Sequence, residues 1–491
     1  MSASRSFFAR SLLAFVALLL TGCASYSGIT PATKPLDGAA LQDSAKSTPY
    51  ADWPKEDWWR ELHDPILTGL IENSLADNPD LQVADARLAQ ARALAGITES
   101  ALWPQVAASA ATTRQRFSER GEFPPPYAGT FQSINNIQIG GNWELDFFGK
   151  HREELKSALG AVRAAKAEHQ AARILLACDV ARNYYNLARL LAQREVVGQQ
   201  ERQRSERAAL VERRFKAGLD TRVELEAAQG TVPENARDIA ALDEQIDIAR
   251  HAHAALTGKG PSAMNAVAPS LPALLPLASL ALPESLPANL LGHRADVVAA
   301  RWRVESALHG LESTRALFYP NLNLRAFTGF SAIGLEHWLE AGSREPGVGF
   351  AISLPLFDAG RLRNLYRADT ANADAATAVY NRTLLNALRD VADRLTTLQS
   401  LEIQLTRQQA VLQSAQRSHD MAMQKYMAGI ADRMSVLNAE TNFINQQRTL
   451  VDLQARWIDG RIGLIRALGG GFAETSPPAP ATSIHPVLSN K

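Results

Sequence analysis

Apolar residues recur at heptad spacing along an extended stretch of the second half of the chain. The positions step alternately by four and three residues, at Leu384, Leu388, Val391, Leu395 and Leu398. This spacing predicts a helix with a coiled-coil seam. In the first half, Lys150 to Lys216 contain no proline and only two glycines, so about 67 residues can form one helix of roughly 100 Å. We therefore predict two long helices that pack against other helices.

Each long helical pattern ends at a glycine. Gly218 is followed by Leu219 and Gly429 by Ile430, and a further helical pattern then continues to about Leu256 or Leu468. Glycine readily adopts the left-handed conformation that terminates a helix. We predict two helical hairpins, with a first tip at residues 217–220 and a second tip at residues 428–431.

Between the helices the pattern changes to a period of two, which is typical of strands. Apolar Ile137, Ile139 and Trp143, for example, alternate with small or polar neighbours. We predict strands at about 105–117, 131–148, 320–331 and 347–357, although the first alternates only weakly. Strands of this length with one apolar face fit a lipid-facing, water-filled barrel, and a soluble sandwich is the alternative.

Four strands cannot close a barrel, and an open sheet edge cannot lie in lipid because its backbone groups would lack hydrogen-bond partners. A spanning chain must therefore associate with copies of itself. Closure allows about eight strands from two chains or about twelve from three. The polar loops at about 118–130 and 332–346 are expected at the cell surface.

The two halves of the chain repeat each other. Asp80 recurs as Asp296, and Gly149 recurs as Gly360. The repeated unit is helix, strand, strand, helix, helix, and we place it at residues 65–257 and 293–470. A Pro-rich connector at 258–292 joins the copies, and a Pro/Ser-rich tail at 471–491 is predicted to be disordered.

The N-terminus reads as an export signal. Two arginines precede an apolar run that ends in Leu20-Thr21-Gly22-Cys23, which resembles a bacterial lipobox. We expect residues 1–22 to be removed, Cys23 to carry diacylglycerol and an N-acyl chain, and residues 23–64 to form an extended, lipid-anchored segment. In the lipoproteins that this segment resembles, an aspartate directly after the cysteine retains the protein in the inner membrane, so Ala24 implies the outer membrane. The alternative is an ordinary signal with a chance cysteine.

Charge and chemistry exclude several classes of protein. The chain has 51 basic and 51 acidic residues, and loss of the two signal arginines leaves a slightly acidic mature chain, which argues against a nucleic-acid partner.

Cys178 lies among apolar residues and is expected in the core. His251 and His253 would lie on different helix faces, so we expect them to be solvated and to bind no metal. No hydrolase, zinc-protease or phosphate-loop motif is present, so we expect no enzyme activity and no cofactor beyond the lipid.

Several motifs together resemble the outer membrane factor family, the TolC-like ducts of tripartite efflux and type I secretion systems. They are Asp57-Trp58-Trp59-Arg60, Asp64-Pro65-Ile66-Leu67, Asn78-Pro79-Asp80-Leu81, Trp143-Glu144-Leu145-Asp146-Phe147-Phe148-Gly149 and Leu354-Pro355-Leu356-Phe357-Asp358-Ala359-Gly360-Arg361. The likeness covers nearly the whole mature chain, and Cys23 places it in the lipidated efflux branch. It implies a mainly α-helical homotrimer with a twelve-stranded transmembrane β-barrel, a long α-helical barrel through the periplasm and an equatorial collar built partly by the connector.

The resemblance also implies site residues. The adaptor-docking residues would be Ala217, Gly218 and Leu219 in the first tip, with Ala428, Gly429 and Ile430 in the second. The glycines also terminate helices, and both roles are compatible. Gate candidates are Tyr426 and Glu224. The family's arginine two places after the second glycine is replaced by Ala431, and Asp432 and Arg433 are expected to supply an equivalent pair with Asp220 and Arg222.

The resemblance implies an exit duct in the outer membrane that receives small toxic compounds or drugs. A periplasmic membrane-fusion adaptor and an inner-membrane transporter would deliver them. That transporter is of the resistance-nodulation-division, major-facilitator or aromatic-acid type, and the sequence does not choose among these. A type I protein secretion duct and a non-channel coiled-coil lipoprotein of the envelope are the alternatives.

Overall fold

The computed structural model describes residues 25–36, 53–269, 271 and 290–474. Cys23, most of the connector and the tail after Glu474 lie outside these residues. The chain forms two compact units, one of residues Met1–Pro35, Arg87–Ala165 and Ala299–Asn381, and the other of Leu36–Ala86, Lys166–Val298 and Arg382–Lys491. We call them the sheet unit and the hairpin unit.

Within the described residues, seven main helices and four strands follow one another in two similar series. The helices are α1 Pro65–Asp77, α2 Pro79–Ser100, α3 Lys150–Lys216, α4 Arg222–Leu256, α5 Ala295–Ala316, α6 Arg361–Met427 and α7 Arg433–Ala467. The strands are β1 Gln105–Arg116, β2 Phe131–Leu145, β3 Asn321–Ile333 and β4 Gly347–Ser353. Equivalent helices match in length: α2 and α5 have 22 residues, α3 and α6 have 67, and α4 and α7 have 35. The helix–strand–strand–helix–helix duplication is thus present.

Two predicted boundaries differ from the structure outside the main elements. The segment predicted as extended up to residue 64 contains a 3-10 helix at Trp58–Leu62, whose two tryptophans are buried. The connector contains another 3-10 helix at Pro261–Met264 and ends in a helical turn at Leu290–His293. Residue 293, predicted as the start of the second repeat, is therefore the last residue of this turn, and α5 begins at Ala295. Among the described residues, none of the helices is both long enough and apolar enough to cross a membrane.

The four strands form one antiparallel sheet in the order β1-β2-β3-β4. The central pairing places Ile137 opposite Phe330, and the last pairing places Phe327 opposite Gly347. β1 and β4 are the two edges, and apolar side chains such as Ile139 and Ile352 are exposed on the sheet.

Two strands end earlier than predicted, at Leu145 instead of residue 148 and at Ser353 instead of residue 357. Past Leu145 the chain turns, because the Phe147 amide donates to the Leu145 carbonyl at 2.9 Å and Gly149 adopts a left-handed φ of 81°. Past Ser353, Pro355 has no N–H to continue the ladder. The predicted third strand is displaced towards the C-terminus and runs to Ile333.

The core of the hairpin unit lies between α3 and α4, where Leu187, Leu190, Val197, Leu242, Ile246 and Ala249 form a buried cluster. The Tyr184 hydroxyl, beside this cluster, donates to the Asp64 carboxylate at 2.8 Å, and Asp64 also caps α1. Cys178 is fully buried, as predicted, and burial raises the pKa of its thiol to about 12.

The prediction for the two histidines of α4 is half wrong. His251 is exposed, but His253 has 0% of its surface exposed. The helix turns His253 inward because it lies seven residues after Ile246, on the same face.

Candidate functional site

The first tip is built by a complete helix-termination motif. At the end of α3 the Gly218 amide donates to the Phe215 carbonyl at 2.9 Å, and the Leu219 amide donates to the Arg214 carbonyl at 2.9 Å. Gly218 has a left-handed φ of 74°. These two bonds satisfy carbonyls that the helix end would otherwise leave without partners. The chain therefore reverses within a few residues.

The second tip repeats this geometry. The Gly429 amide donates to the Tyr426 carbonyl at 3.0 Å, the Ile430 amide donates to the Lys425 carbonyl at 2.9 Å, and Gly429 has a φ of 72°. A Cβ added at either glycine would meet no atom within 4 Å. Glycine is thus required by the left-handed backbone and not by lack of space.

The helices that leave the tips begin with side-chain caps. Thr221 caps α4: its hydroxyl accepts from the Glu224 amide at 3.3 Å, and the Glu224 carboxylate accepts from the Thr221 amide at 2.6 Å. Asp432 caps α7 and accepts from the Ser435 amide at 2.9 Å. This hydrogen bonding to Ser435 lowers the pKa of Asp432. Two gate candidates, Glu224 and Asp432, therefore also fix the start of a helix.

Both tips present apolar side chains outward. Leu219 is 69% exposed and Ile430 is 77% exposed, and Ala217 and Ala428 beside them are exposed as well. Helix termination holds these side chains on a firm backbone although they contact little of their own chain. An exposed apolar set on a rigid element is suited to contact with another protein.

Arg214 joins the two tips electrostatically. Its guanidinium is 2.9 Å from the Asp220 carboxylate of the first tip and 3.7 Å from the Asp432 carboxylate that follows the second. The hydrogen bond to Asp220 is the main reason that the pKa of Arg214 is raised. One cation thus contacts carboxylates of both hairpins.

A second ion pair connects α7 to α3. Arg433 binds the two Glu206 oxygens at 2.6 and 2.9 Å, and its guanidinium lies 5.8 Å from the centre of the Tyr426 ring. Hydrogen bonding from Arg433 lowers the pKa of Glu206. A two-point contact of this kind fixes the orientation of the arginine.

The expected pairing of Asp432 and Arg433 with Asp220 and Arg222 is not what the chain forms by itself. Asp220 and Asp432 both contact Arg214, whereas Arg222 lies 3.5 Å from Glu226 on its own helix. The reason is helix geometry. Arg214 lies one turn before Gly218, and from this position its guanidinium reaches the carboxylates at both tips. The roles of these residues in a gate stay predictions.

Arg214 and Glu206 are the tip residues that the sequence interpretation missed. Arg214 is one of several basic residues in the last turn of α3, which is a common place for cations because of the helix dipole. Glu206 lies 227 positions before Arg433 in the chain. No local signal connects Glu206 to the tips, and only the packing of α3 against α7 reveals it.

The helical hairpins joined to a four-stranded sheet define the class of outer-membrane channels, and comparison with known proteins supports this. The family model described as outer membrane efflux protein matches residues 70–259 and 286–470. The multidrug resistance outer membrane protein MdtQ of Escherichia coli O157:H7 is 32% identical over 464 residues, which cover 93% of this chain and 96% of MdtQ. The fusaric acid resistance protein FusA of Burkholderia cepacia is 36% identical over 369 residues, which cover 74% of this chain and 69% of FusA.

A solved structure has the same fold. The crystal structure of the outer membrane protein VceC from Vibrio cholerae matches with a TM-score of 0.78 and 33% identity, over 86% of this chain and all of that chain. This chain belongs to the outer membrane efflux protein family. It is an outer-membrane efflux channel, which confirms the resemblance and sets aside the non-channel envelope lipoprotein and the soluble sandwich.

Proposed function

We propose that three copies of this chain form one duct, with a twelve-stranded barrel and a periplasmic tunnel, through which small toxic compounds leave the cell. The observation that carries the proposal is the open sheet, in which β1 and β4 are both edges within the chain. Such edges need partners in a bilayer. Copies of the same chain supply them if β4 of one copy pairs with β1 of the next.

The substrate class rests on the relatives. The name of MdtQ refers to multidrug resistance and that of FusA to resistance against fusaric acid. Both names describe protection from small molecules, which favours efflux over the alternative of type I protein secretion. The inner-membrane transporter would select the compound, and it belongs to the resistance-nodulation-division, major-facilitator or aromatic-acid type.

The two tips are the proposed site for a periplasmic membrane-fusion adaptor. Exposed Leu219 and Ile430 would supply the apolar contact, and Gly218 and Gly429 would let a partner approach the backbone closely. The proposed gate consists of Asp220, Arg222, Glu224, Tyr426, Asp432 and Arg433, to which the structure adds Arg214 and Glu206 as ion-pair partners.

A lipid on Cys23 is the proposed second attachment to the outer membrane. We propose further that the chain catalyses no reaction and binds no cofactor, since its family and fold are those of channel proteins. Passage would then depend on an open path and on adaptor docking alone.

Single-particle imaging of the full-length protein in detergent, combined with conductance in planar bilayers, tests the proposal. We expect a threefold hollow tube and a small conductance in the absence of an adaptor. A twofold particle or a solid rod would overturn the trimeric duct. Acyl analysis of the purified protein tests Cys23 separately, with Cys23→Ser as the unlipidated control.

A further inference from the structure

The two faces of the four-stranded sheet differ in chemistry. Side chains alternate between the faces along each strand, and the strand pairing places Val106, Ile139, Phe350 and Ile352 on the same face. All four side chains are apolar and more than half exposed. In the proposed barrel this face meets lipid, so the opposite face lines the water-filled interior.

Arg325 of β3 lies on the interior face. It stands opposite Asn142 of β2 and Gly349 of β4. Its guanidinium is 5.6 Å from the centre of the Phe327 ring, which lies across Gly347, because an added Cβ at Gly347 would collide with that ring. An added Cβ at Gly349 would meet no atom within 4 Å. The guanidinium therefore has an aromatic ring on one side and open space on the other.

Arg325 has no ion pair with a described residue. Within the described strands, the interior face carries a single carboxylate, that of Glu144. This carboxylate is already occupied, since it lies 2.9 Å from the Lys150 amine and 3.1 Å from His151 Nε2. Arg325 is thus the strand charge on this face that no described group neutralises.

A neighbouring copy would not neutralise Arg325 either. In the proposed trimer, β4 of one copy pairs with β1 of the next, so β1 is the strand beyond β4. The interior positions of β1 are all uncharged: Gln105, Ala107, Ser109, Ala111, Thr113 and Gln115. The carboxylate residue Glu345 continues the interior face before β4, but it is four residues from Gly349, which corresponds to roughly 13 Å along a strand.

We propose that Arg325 makes the barrel section of the duct selective for anions, so that negatively charged solutes pass it more readily than cations. The inference rests on the proposed trimer, in which three copies place three guanidinium groups at one level. Twelve strands spaced about 4.8 Å apart and tilted by about 40° give a backbone radius of roughly 12 Å. At about 0.1 M salt the Debye length is about 10 Å, so inward-pointing charges act across this width. Rings of arginine or lysine favour anions in other pores.

The reversal potential of the full-length protein in planar bilayers, across a potassium chloride gradient around about 0.1 M, gives the anion-to-cation permeability ratio. Arg325→Gln should lower this ratio by about twofold or more, and Arg325→Glu should lower it further. Arg325→Lys keeps the charge and should keep the wild-type ratio. At about 1 M salt the Debye length is about 3 Å, so the difference between the wild type and Arg325→Gln should disappear.

Two further variants are matched controls. Glu345→Gln removes an exposed carboxylate on the interior side and should raise the ratio. Arg114→Gln removes an exposed arginine from β1, on the face of Val106 that meets lipid, and should leave the ratio unchanged.

The outcomes separate this inference from the proposed duct. A wild-type ratio in a conducting Arg325→Gln variant would overturn the role of Arg325 and leave the duct standing. A wild-type protein that forms no conducting trimer would overturn the proposed function and the selectivity together.

Discussion

Arg214 Nη1 and Asp432 Oδ2 lie 3.7 Å apart although they belong to different copies of the internal repeat. Arg214 lies in the last turn of α3, and Asp432 caps the start of α7. The contact connects the end of one hairpin to the end of the other. Any partner that separates the two tips must therefore break it, and the same holds for the Arg433–Glu206 pair beside it.

The Arg433→Ala variant should have a higher leak conductance than the wild type, by several-fold. Arg433 holds Glu206 at two points and lies near the Tyr426 ring, so its loss frees α7 from α3 at the proposed gate. Single-channel recording in planar bilayers without an adaptor measures the effect.

Arg237→Ala is the control for this prediction. Arg237 is an exposed arginine of α4 whose ion-pair partners, Glu234 and Asp238, lie on the same helix. Its loss should leave the leak conductance unchanged. Equal conductance of the Arg433→Ala variant and the wild type would remove Arg433 from the gate.

Gly429→Ala should destabilise the second hairpin by about 1–2 kcal/mol, the cost of a left-handed conformation for a residue with a Cβ. No steric clash adds to this cost, because an added Cβ at Gly429 meets no atom within 4 Å. Chemical unfolding followed by circular dichroism measures it.

Gly230→Ala is a matched control for which we expect the opposite change in stability. Gly230 lies inside α4 and an added Cβ there also meets no atom within 4 Å, so alanine should stabilise the helix by about 0.5–1 kcal/mol. If both substitutions changed stability in the same direction, the left-handed backbone at Gly429 would not explain its effect.

The double variant Leu219→Ser and Ile430→Ser should lose adaptor binding and efflux while keeping its stability. Both side chains are exposed in the chain, so serine removes apolar contact area for a partner but little from the core. Drug susceptibility of cells and co-purification of the adaptor are the measurements. Leu335→Ser, an equally exposed leucine in the β3–β4 loop, should behave as the wild type does.

The helices follow from the sequence because their signals are local and repeated. Proline-free stretches, heptad spacing and a glycine at each tip set the bounds of α3 and α6. Each signal occurs in both halves of the chain. Because duplicated halves are expected to fold in the same way, each copy supports the element predicted from the other. The strand ends follow less accurately, because the turn after Leu145 depends on a backbone hydrogen bond and on the left-handed Gly149, and alternation of side chains encodes neither.

The ion pairs at the tips do not follow from the sequence in the same way. Asp220, Asp432 and Arg433 can be predicted because they lie close to the glycines in the sequence, but their partners depend on which residues of α3 lie opposite α7. A rotation of α3 by one residue would move Arg214 and Glu206 away from the tips, by about 100° around the helix. Side-chain packing between distant helices decides this, and no short motif reports it.

The buried His253 should make the protein less stable as pH falls from about 6.5 to about 4. Burial lowers the pKa of His253 to about 4, and both ring nitrogens lack a partner among the described residues. Between these pH values the unfolded chain binds a proton that the folded chain does not, so unfolding becomes more favourable, by up to about 3 kcal/mol. Thermal unfolding at pH values from 7 to 4 measures the loss. His253→Leu should flatten the profile in this range, whereas His251→Leu, an exposed histidine two residues away, should keep the wild-type slope; a slope unchanged by His253→Leu would assign the pH dependence to other groups.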